Sequence, residues 1–278
     1  MKKTLIAGFL LSAVVAPVMA QTAAPALTGN VSLISDYRFR GIDQTFGRPA
    51  LQGGLDYTHA SGLYLGNWNS NVSSGAGFPD GNLEMDFYGG YKANVGDVGL
   101  DVGAIYYYYP GSEAKVLGTN AKSGAVNNQE VYVGASWKFL SLKYSLSVAD
   151  YFSTRGVDSA GAPTGQSTRG SGYWDLSANY DLGDGWGVNG HVGQLSYKNV
   201  ANGDYTDWKI GVTKDIGGWI VGASYVDTNA KGSCSGASGN QPYCLNSTNT
   251  VNGNDINRGS RTTDAGKGIG IVSLSHSF

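Results

Sequence analysis

The sequence predicts an all-β protein, a closed antiparallel transmembrane β-barrel of about 12 strands with short periplasmic turns and long extracellular loops. Three observations lead there. The composition is wrong for helices: 43 Gly, 18 Tyr and 12% aromatic residues in 278 leave few strong helix formers. Segments of about ten residues alternate apolar and polar side chains along the chain. The gaps between those segments sort into short and long in strict turn, as they do in outer-membrane barrels. Other classes fall away on composition. With 41% apolar residues and a net charge of −2, the chain has too much burial material for disorder and no basic excess to recommend a nucleic-acid partner.

The chain begins with a targeting segment. Met1-Lys2-Lys3 is a short positive end, Leu5 to Val18 is apolar, and Val18-Met19-Ala20 is a small-x-small cleavage site before Gln21. Residues 1–20 therefore read as a secretory signal peptide and 21–278 as one barrel domain. After Gln21 no run of about 18 apolar residues occurs, so a membrane is crossed by strands or not at all.

Twelve segments are expected, at 31–40, 50–58, 63–72, 83–92, 98–109, 130–138, 140–151, 173–182, 186–197, 205–214, 219–226 and 268–278. In the first, Val31, Leu33, Tyr37 and Phe39 share one face and Ser32, Asp36, Arg38 and Arg40 the other. In the fourth, Leu83, Met85, Phe87 and Tyr91 oppose Glu84, Asp86 and Lys92; in the eighth, Trp174, Leu176, Ala178 and Tyr180 oppose Asp175, Ser177 and Asn179. A soluble sandwich alternates in the same way, so periodicity alone does not choose. The gaps do. Those at 59–62, 93–97, 139, 183–185 and 215–218 are short, whereas 41–49, 73–82, 110–129, 152–172, 198–204 and 227–267 are longer.

Aromatic placement agrees. On the apolar faces, Tyr37, Phe39, Tyr106, Tyr108, Trp174, Trp208 and Tyr225 come at outer strand ends. Tyr57, Tyr91, Trp137, Tyr180, Trp186, Trp219 and Phe278 come at inner ends. Two girdles flanking an aliphatic band are what a bilayer requires, whereas a sandwich core would hold its aromatics in mid-strand. The last segment alternates to a terminal Phe278, the form of signal by which the barrel-assembly machinery of Gram-negative outer membranes takes its clients. His276 is the one departure, a polar ring on the lipid side near the interface.

Ser35-Asp36-Tyr37-Arg38-Phe39-Arg40-Gly41, Ser61-Gly62-Leu63-Tyr64-Leu65-Gly66-Asn67-Trp68 and Leu83-Glu84-Met85-Asp86-Phe87-Tyr88-Gly89-Gly90-Tyr91 carry a resemblance. Together they look like the TorF family of proteobacterial outer-membrane porins. The resemblance implies an outer-membrane barrel with pore activity, and brings no substrate or catalytic residue with it.

With the polar faces inward, candidate pore-lining residues are Asp36, Arg38 and Arg40 from the first segment and Asp56 from the second. The fourth to sixth add Glu84, Asp86, Asp101 and Glu130; the seventh, eighth and tenth add Lys143, Asp175, Asp207 and Lys209. Both signs occur, and for most of these residues a paired or solvated wall is the simpler reading. Arg38 and Arg40 are the candidates for solute contact at the outer mouth, because a guanidinium grips carboxylates bidentately. Twelve strands enclose less than a classical porin, and Tyr107, Tyr109 and Tyr132 narrow the bore further, so the expected function is passive diffusion of small polar or anionic solutes.

Cys234 and Cys244, ten apart in the longest outer loop and in an oxidising compartment, are expected to pair. A zinc site lacks further Cys or His nearby. The loop acids Asp80, Asp158, Asp204, Asp255 and Asp264 allow weak Ca²⁺ contacts, with solvated carboxylates the plainer reading. No catalytic, cofactor or metal residue is assigned; the expected partners are outer-membrane lipid, the assembly machinery through Phe278, and a small polar solute. Two rival classes stand beside the pore. A barrel enzyme acting on lipid or peptide needs a nucleophile or activated water with a base in reach. Of the three His, only His191 falls inside the barrel, with no partner set by sequence. A surface adhesion or binding barrel would act through its long loops.

Overall fold

The computed structural model describes residues 26–114, 124–235, 239–246, 250–251, 254–255 and 262–278. The expected signal peptide lies outside them. Twelve strands close into one antiparallel barrel: β1 (Leu27–Ile34), β2 (Ala50–Thr58), β3 (Leu63–Asn71), β4 (Leu83–Val95), β5 (Val98–Tyr108) and β6 (Asn127–Trp137), then β7 (Leu140–Ser147), β8 (Gly172–Gly183), β9 (Trp186–Ser196), β10 (Tyr205–Ile216), β11 (Trp219–Thr228) and β12 (Ile269–Ser277). Each strand pairs with its sequence neighbours, and β12 pairs with β1 to seal the cylinder, Asn30 opposite Ser277 and Leu33 opposite Leu274. Closure leaves no open edge, the condition for a sheet to live in hydrocarbon. At the seam Gly29 and Phe278 exchange both backbone hydrogen bonds, and the Phe278 ring lies over Gly29 so closely that a Cβ there would meet it at 2.5 Å.

The alternation points as expected. Leu51, Leu55, Leu65, Val102, Val133, Ile210 and Val272 face outward, each more than half exposed, while their neighbours in sequence are turned to the lumen. Trp174, Trp208 and Tyr225 ring the outer end; Tyr57, Tyr91, Trp137, Tyr180, Trp186, Trp219 and Phe278 ring the inner end, all exposed. This inverted arrangement, greasy outside and polar inside, is the surface of a lipid-embedded barrel. His276 is accommodated at the inner rim by a 2.8 Å hydrogen bond between its Nδ1 and the Gly218 carbonyl and by stacking on Trp219.

Boundaries shift at several strands, and one shift changes the architecture. The first segment is not one strand over 31–40. β1 begins at Leu27 and stops at Ile34, after which the chain leaves the wall and turns into the barrel. There Arg38–Phe39 pairs with Ile42–Asp43 in a miniature hairpin whose turn, Arg40–Gly41, takes positive φ at both residues. A Cβ on Gly41 would collide with Thr228 Cγ2 at 2.5 Å and Asp207 Cβ at 2.7 Å, so only glycine lets this turn approach the wall. Tyr37 and Phe39 are consequently not in the outer girdle: they are 4% and 8% exposed, inside the lumen. The seventh strand likewise ends early, at Ser147, and Tyr151–Ser153 forms a short 3-10 turn.

Candidate functional site within the lumen

The inward segment, 35–49, fills the outer half of the barrel. Its apolar side chains build one packed cluster with the wall. Tyr37 meets Trp68 edge-on at 5.6 Å, and Phe39 lies edge-on to Tyr107 at 5.4 Å and to Phe152 at 5.8 Å. Phe78 stacks on Tyr109 at 4.0 Å. A second cluster gathers Tyr151, Tyr173, Leu195, Tyr205 and Tyr243 beside it. Aromatic edge-to-face contacts of this kind each contribute about 0.5–1.5 kcal/mol beyond area burial.

Charge fixes the segment in place. Arg40 donates from Nη1 to Glu130 Oε1 at 2.9 Å and from Nη2 to Glu130 Oε2 at 2.7 Å, with a further Nη1 contact to the Tyr151 hydroxyl at 3.1 Å. The guanidinium lies over the rings of Tyr173 and Phe39, 4.3 and 4.8 Å from their centroids. The Tyr205 hydroxyl donates to the Arg40 carbonyl at 2.8 Å. Arg38 donates from Nε to Asp36 Oδ1 at 2.6 Å and from Nη1 to the Ala265 carbonyl at 2.7 Å, with Asp43 at 3.8 Å. Asp43 in turn accepts the Thr45 N–H at 2.9 Å. Burial and the adjacent Asp36 raise the Asp43 carboxyl above its ordinary range, against the pull of Arg38. Burial pushes the Tyr151 phenol up to about 12, Arg40 opposing it.

Below this stopper the wall changes character. Tyr64 donates to Asp101 at 2.7 Å and bonds the Tyr132 hydroxyl, and Tyr88 donates to Asp56 at 2.6 Å. Opposite them, Lys143, His191 and Lys209 are half-buried on the lumen side of the wall. His191 lies between two carboxylates, Nδ1 3.4 Å from Asp175 and Nε2 3.2 Å from Asp207. Asp207 also accepts from the Tyr173 hydroxyl at 2.8 Å, and Ser177 donates to Asp175. Gly187, Gly211, Gly222, Ser224, Ser273 and Ser275 line much of the remaining inner half, leaving a small-residue vestibule toward the short-turn end.

All the sequence-derived lumen residues lie inside the barrel, but not in equivalent ways. Asp56, Glu84, Asp86, Asp101, Glu130, Lys143, Asp175, Asp207 and Lys209 belong to wall strands; Asp36, Arg38 and Arg40 belong to the stopper. Arg38 and Arg40 are not presented at the outer mouth. Their side chains are 7% and 8% exposed and their guanidinium groups are spent on internal carboxylates. Tyr107, Tyr109 and Tyr132 are buried within, as expected. Sequence reasoning missed the carboxylate partners of His191 and the stopper's contacts with Trp68, Tyr151, Tyr173 and Tyr205. Gly41 directly after Arg40, where the turn takes positive φ, is the one local sequence sign of the turn, and it does not by itself place the segment inside the barrel. Cys234 and Cys244 form the disulfide expected of them, on the outer side. Asp255 lies in a described strand segment and Asp264 accepts the Gly266 N–H at 3.0 Å, while among the described residues no cluster of three His, Cys, Asp or Glu is arranged as metal ligands.

Among solved structures, the NanC porin aligns over 91% of this chain and 99% of its own, with 12% identity and a TM-score of 0.49. The KdgM porin aligns over 91% and 98%, with 8% identity and a TM-score of 0.46. OpdK of Pseudomonas aeruginosa aligns over 92% and 68%, with 12% identity and a TM-score of 0.37. At such distances the strand pairing of the chain itself establishes the fold. No curated protein matches the sequence. Residues 19–252 do match one family along most of the chain, and the protein belongs to it: the family described as bacterial protein of unknown function, Gcw_chp.

Proposed function

We propose that this barrel is an outer-membrane, porin-like channel for small polar or anionic solutes, of the kind the TorF resemblance implies, and that its inward segment 35–49 sets its conducting state. The observation that carries this reading is the inversion of polarity: an aliphatic, aromatic-girdled exterior around a wall bearing Asp56, Asp101, Lys143, Asp175, His191, Asp207 and Lys209. A lumen lined by charge is wasted on a purely structural cylinder, since apolar side chains fill a narrow barrel at less desolvation cost. Lys143 and Lys209, only partly buried on the lumen side, favour anions in the vestibule. The stopper makes the resting bore narrow. It is tied to the wall chiefly through Glu130 and Tyr205, so release of those contacts opens the path.

Single-channel recording of refolded protein in planar bilayers tests the proposal. The intact chain is expected to give small, flickering conductance, and a variant with 36–48 replaced by a short Gly-Ser linker a several-fold larger, steady one. A stopperless barrel that inserts and conducts nothing would sink the channel reading in favour of a loop-acting binding barrel or an enzyme. Hydrolysis of lipid or peptide lost on His191→Gln would point to the latter.

A further inference from the structure

Glu84 and Asp86 are adjacent inward positions on β4, and both are wholly buried, at 0% exposure. Successive inward residues of a strand sit about 7 Å apart, near enough for two carboxylates to share one ligand. Glu84 Oε1 accepts from the Tyr109 hydroxyl at 2.8 Å. The Tyr37 hydroxyl is turned to the Glu84 carboxylate, and both oxygens of Asp86 are sealed from solvent without a hydrogen-bond partner. A buried carboxylate with neither oxygen answered is unusual, because buried polar atoms are nearly always satisfied and exceptions mark a bound ion, water or strain. The residues paired across from this point are Ser70, opposite Glu84, and Trp68 and Tyr107, opposite Asp86; none brings a positive charge. Arg38 and Arg40 on the stopper are committed to Asp36 and Glu130. Lys92, on the same strand, is about 20 Å further along it and lies over the Tyr64 ring. Two ionised carboxylates enclosed this way carry a desolvation cost of several kcal/mol each, which a counter-ion removes.

We propose that Glu84, Asp86 and the phenol of Tyr37 form a calcium-binding site that clasps the inward segment to the barrel wall. The donors are all hard oxygens, which suits Ca²⁺ over zinc or copper, and two carboxylates neutralise a divalent ion. Ca²⁺ tolerates irregular geometry and completes its shell with enclosed water, whereas Mg²⁺ demands a near-ideal octahedron. The placement has a mechanical consequence. Glu84 and Asp86 belong to the wall and Tyr37 to the stopper, so the ion bridges the two parts that must separate for the lumen to open. The proposal stands apart from conduction: the site binds calcium in a barrel that conducts and in one that does not.

Terbium is the probe, since Tyr37, Tyr109 and Trp68 surround the site and sensitise the luminescence of a bound lanthanide. The full mature chain, refolded in EDTA-washed uncharged detergent, is titrated with Tb³⁺ and then with Ca²⁺. Sensitised emission that Ca²⁺ displaces is expected, with affinity lowered about tenfold or more in Glu84→Gln/Asp86→Asn and unchanged in the inner-turn control Asp97→Asn. Emission unaltered in the double variant, or lost only in the control, overturns the proposal. If the double variant does not fold, Asp86→Asn alone is read by the same criteria, its shape being preserved. Infrared spectroscopy supplies the opposing outcome: a protonated-carboxyl stretch that vanishes in Asp86→Asn and persists under saturating Ca²⁺ would mean that protons, not calcium, neutralise the pair.

Discussion

Arg40 is the residue on which the stopper turns. It brings a charge into the barrel, where the bidentate contact with Glu130, the Tyr151 hydroxyl and two aromatic faces replace its water. Removing one member of such a pair strands the other, at about 3–5 kcal/mol, whereas removing both costs much less. Arg40→Ala and Glu130→Ala are each expected to lower unfolding stability in detergent by that amount, and the double variant to lose less than the sum. Additive losses in urea unfolding would mean the pair is not coupled. Arg40→Lys is no conservative change here, because an ammonium lacks the planar fork that engages both carboxylate oxygens. Asp43 gives a second, pH-dependent test. Its carboxyl is raised in the folded chain by burial and Asp36, so the folded state holds a proton that the unfolded state releases between the ordinary aspartate pKa and the raised one. Stability contributed there falls as pH rises through that window and is recovered on acidification. Asp43→Asn is expected to flatten this part of the stability–pH curve, measured by thermal unfolding across the acidic range.

At the scale of elements, the strands were legible and the stopper was not, for one physical reason. Alternation of period two reports which face of an extended chain is apolar, and a closed barrel repeats that pattern twelve times with turns that sort by length. The expected 50–58 therefore coincides with β2 at Ala50–Thr58, and the expected start at 186 with that of β9. The stretch after Ile34 continues the same alternation through Tyr37, Arg38, Phe39 and Arg40, and periodicity cannot say whether an alternating chain stays in the wall or folds inside it. The lumen then makes Tyr37 and Phe39 core residues, when a lipid-facing strand would have made them girdle residues. The ionic partners were illegible for a related reason: Arg40 and Glu130, or His191 and Asp207, meet only once the cylinder closes. The long outer loop is another element with its own test. The Cys234–Cys244 bond closes a ten-residue separation, restricting that segment by roughly 2–3 kcal/mol in the chain-entropy model. Because it ties no barrel strand to another, reduction is expected to leave heat-resistant migration of the folded barrel on gels unchanged while speeding proteolytic cleavage within 229–268. Loss of the folded band on reduction would show that the loop supports the wall.

For the whole molecule, the two halves of the lumen divide the labour. On the proposed channel reading, the outer half would decide whether anything passes, and the inner vestibule, where Lys143 and Lys209 are only partly buried, would decide which sign of charge is favoured. Asp101, Asp175 and Asp207 are buried behind tyrosine, serine or histidine, whereas Lys143 and Lys209 are only partly buried on the lumen side. A partly exposed ammonium acts on a passing ion at close range, while a buried and hydrogen-bonded carboxylate has part of its field already answered. Lys143→Gln/Lys209→Gln, made in the stopperless barrel and compared with that same parent, is therefore expected to move the reversal potential in a salt gradient toward cation selectivity. Comparing within one background matters, since removing the stopper uncovers Glu130, which by itself favours cations. The shift should shrink as salt is raised from 0.1 M, where the screening length is about 10 Å, to 1 M, where it is about 3 Å. A reversal potential indifferent to both lysines would place the selectivity-setting contacts outside the vestibule, in the acids of the outer half that the stopper covers.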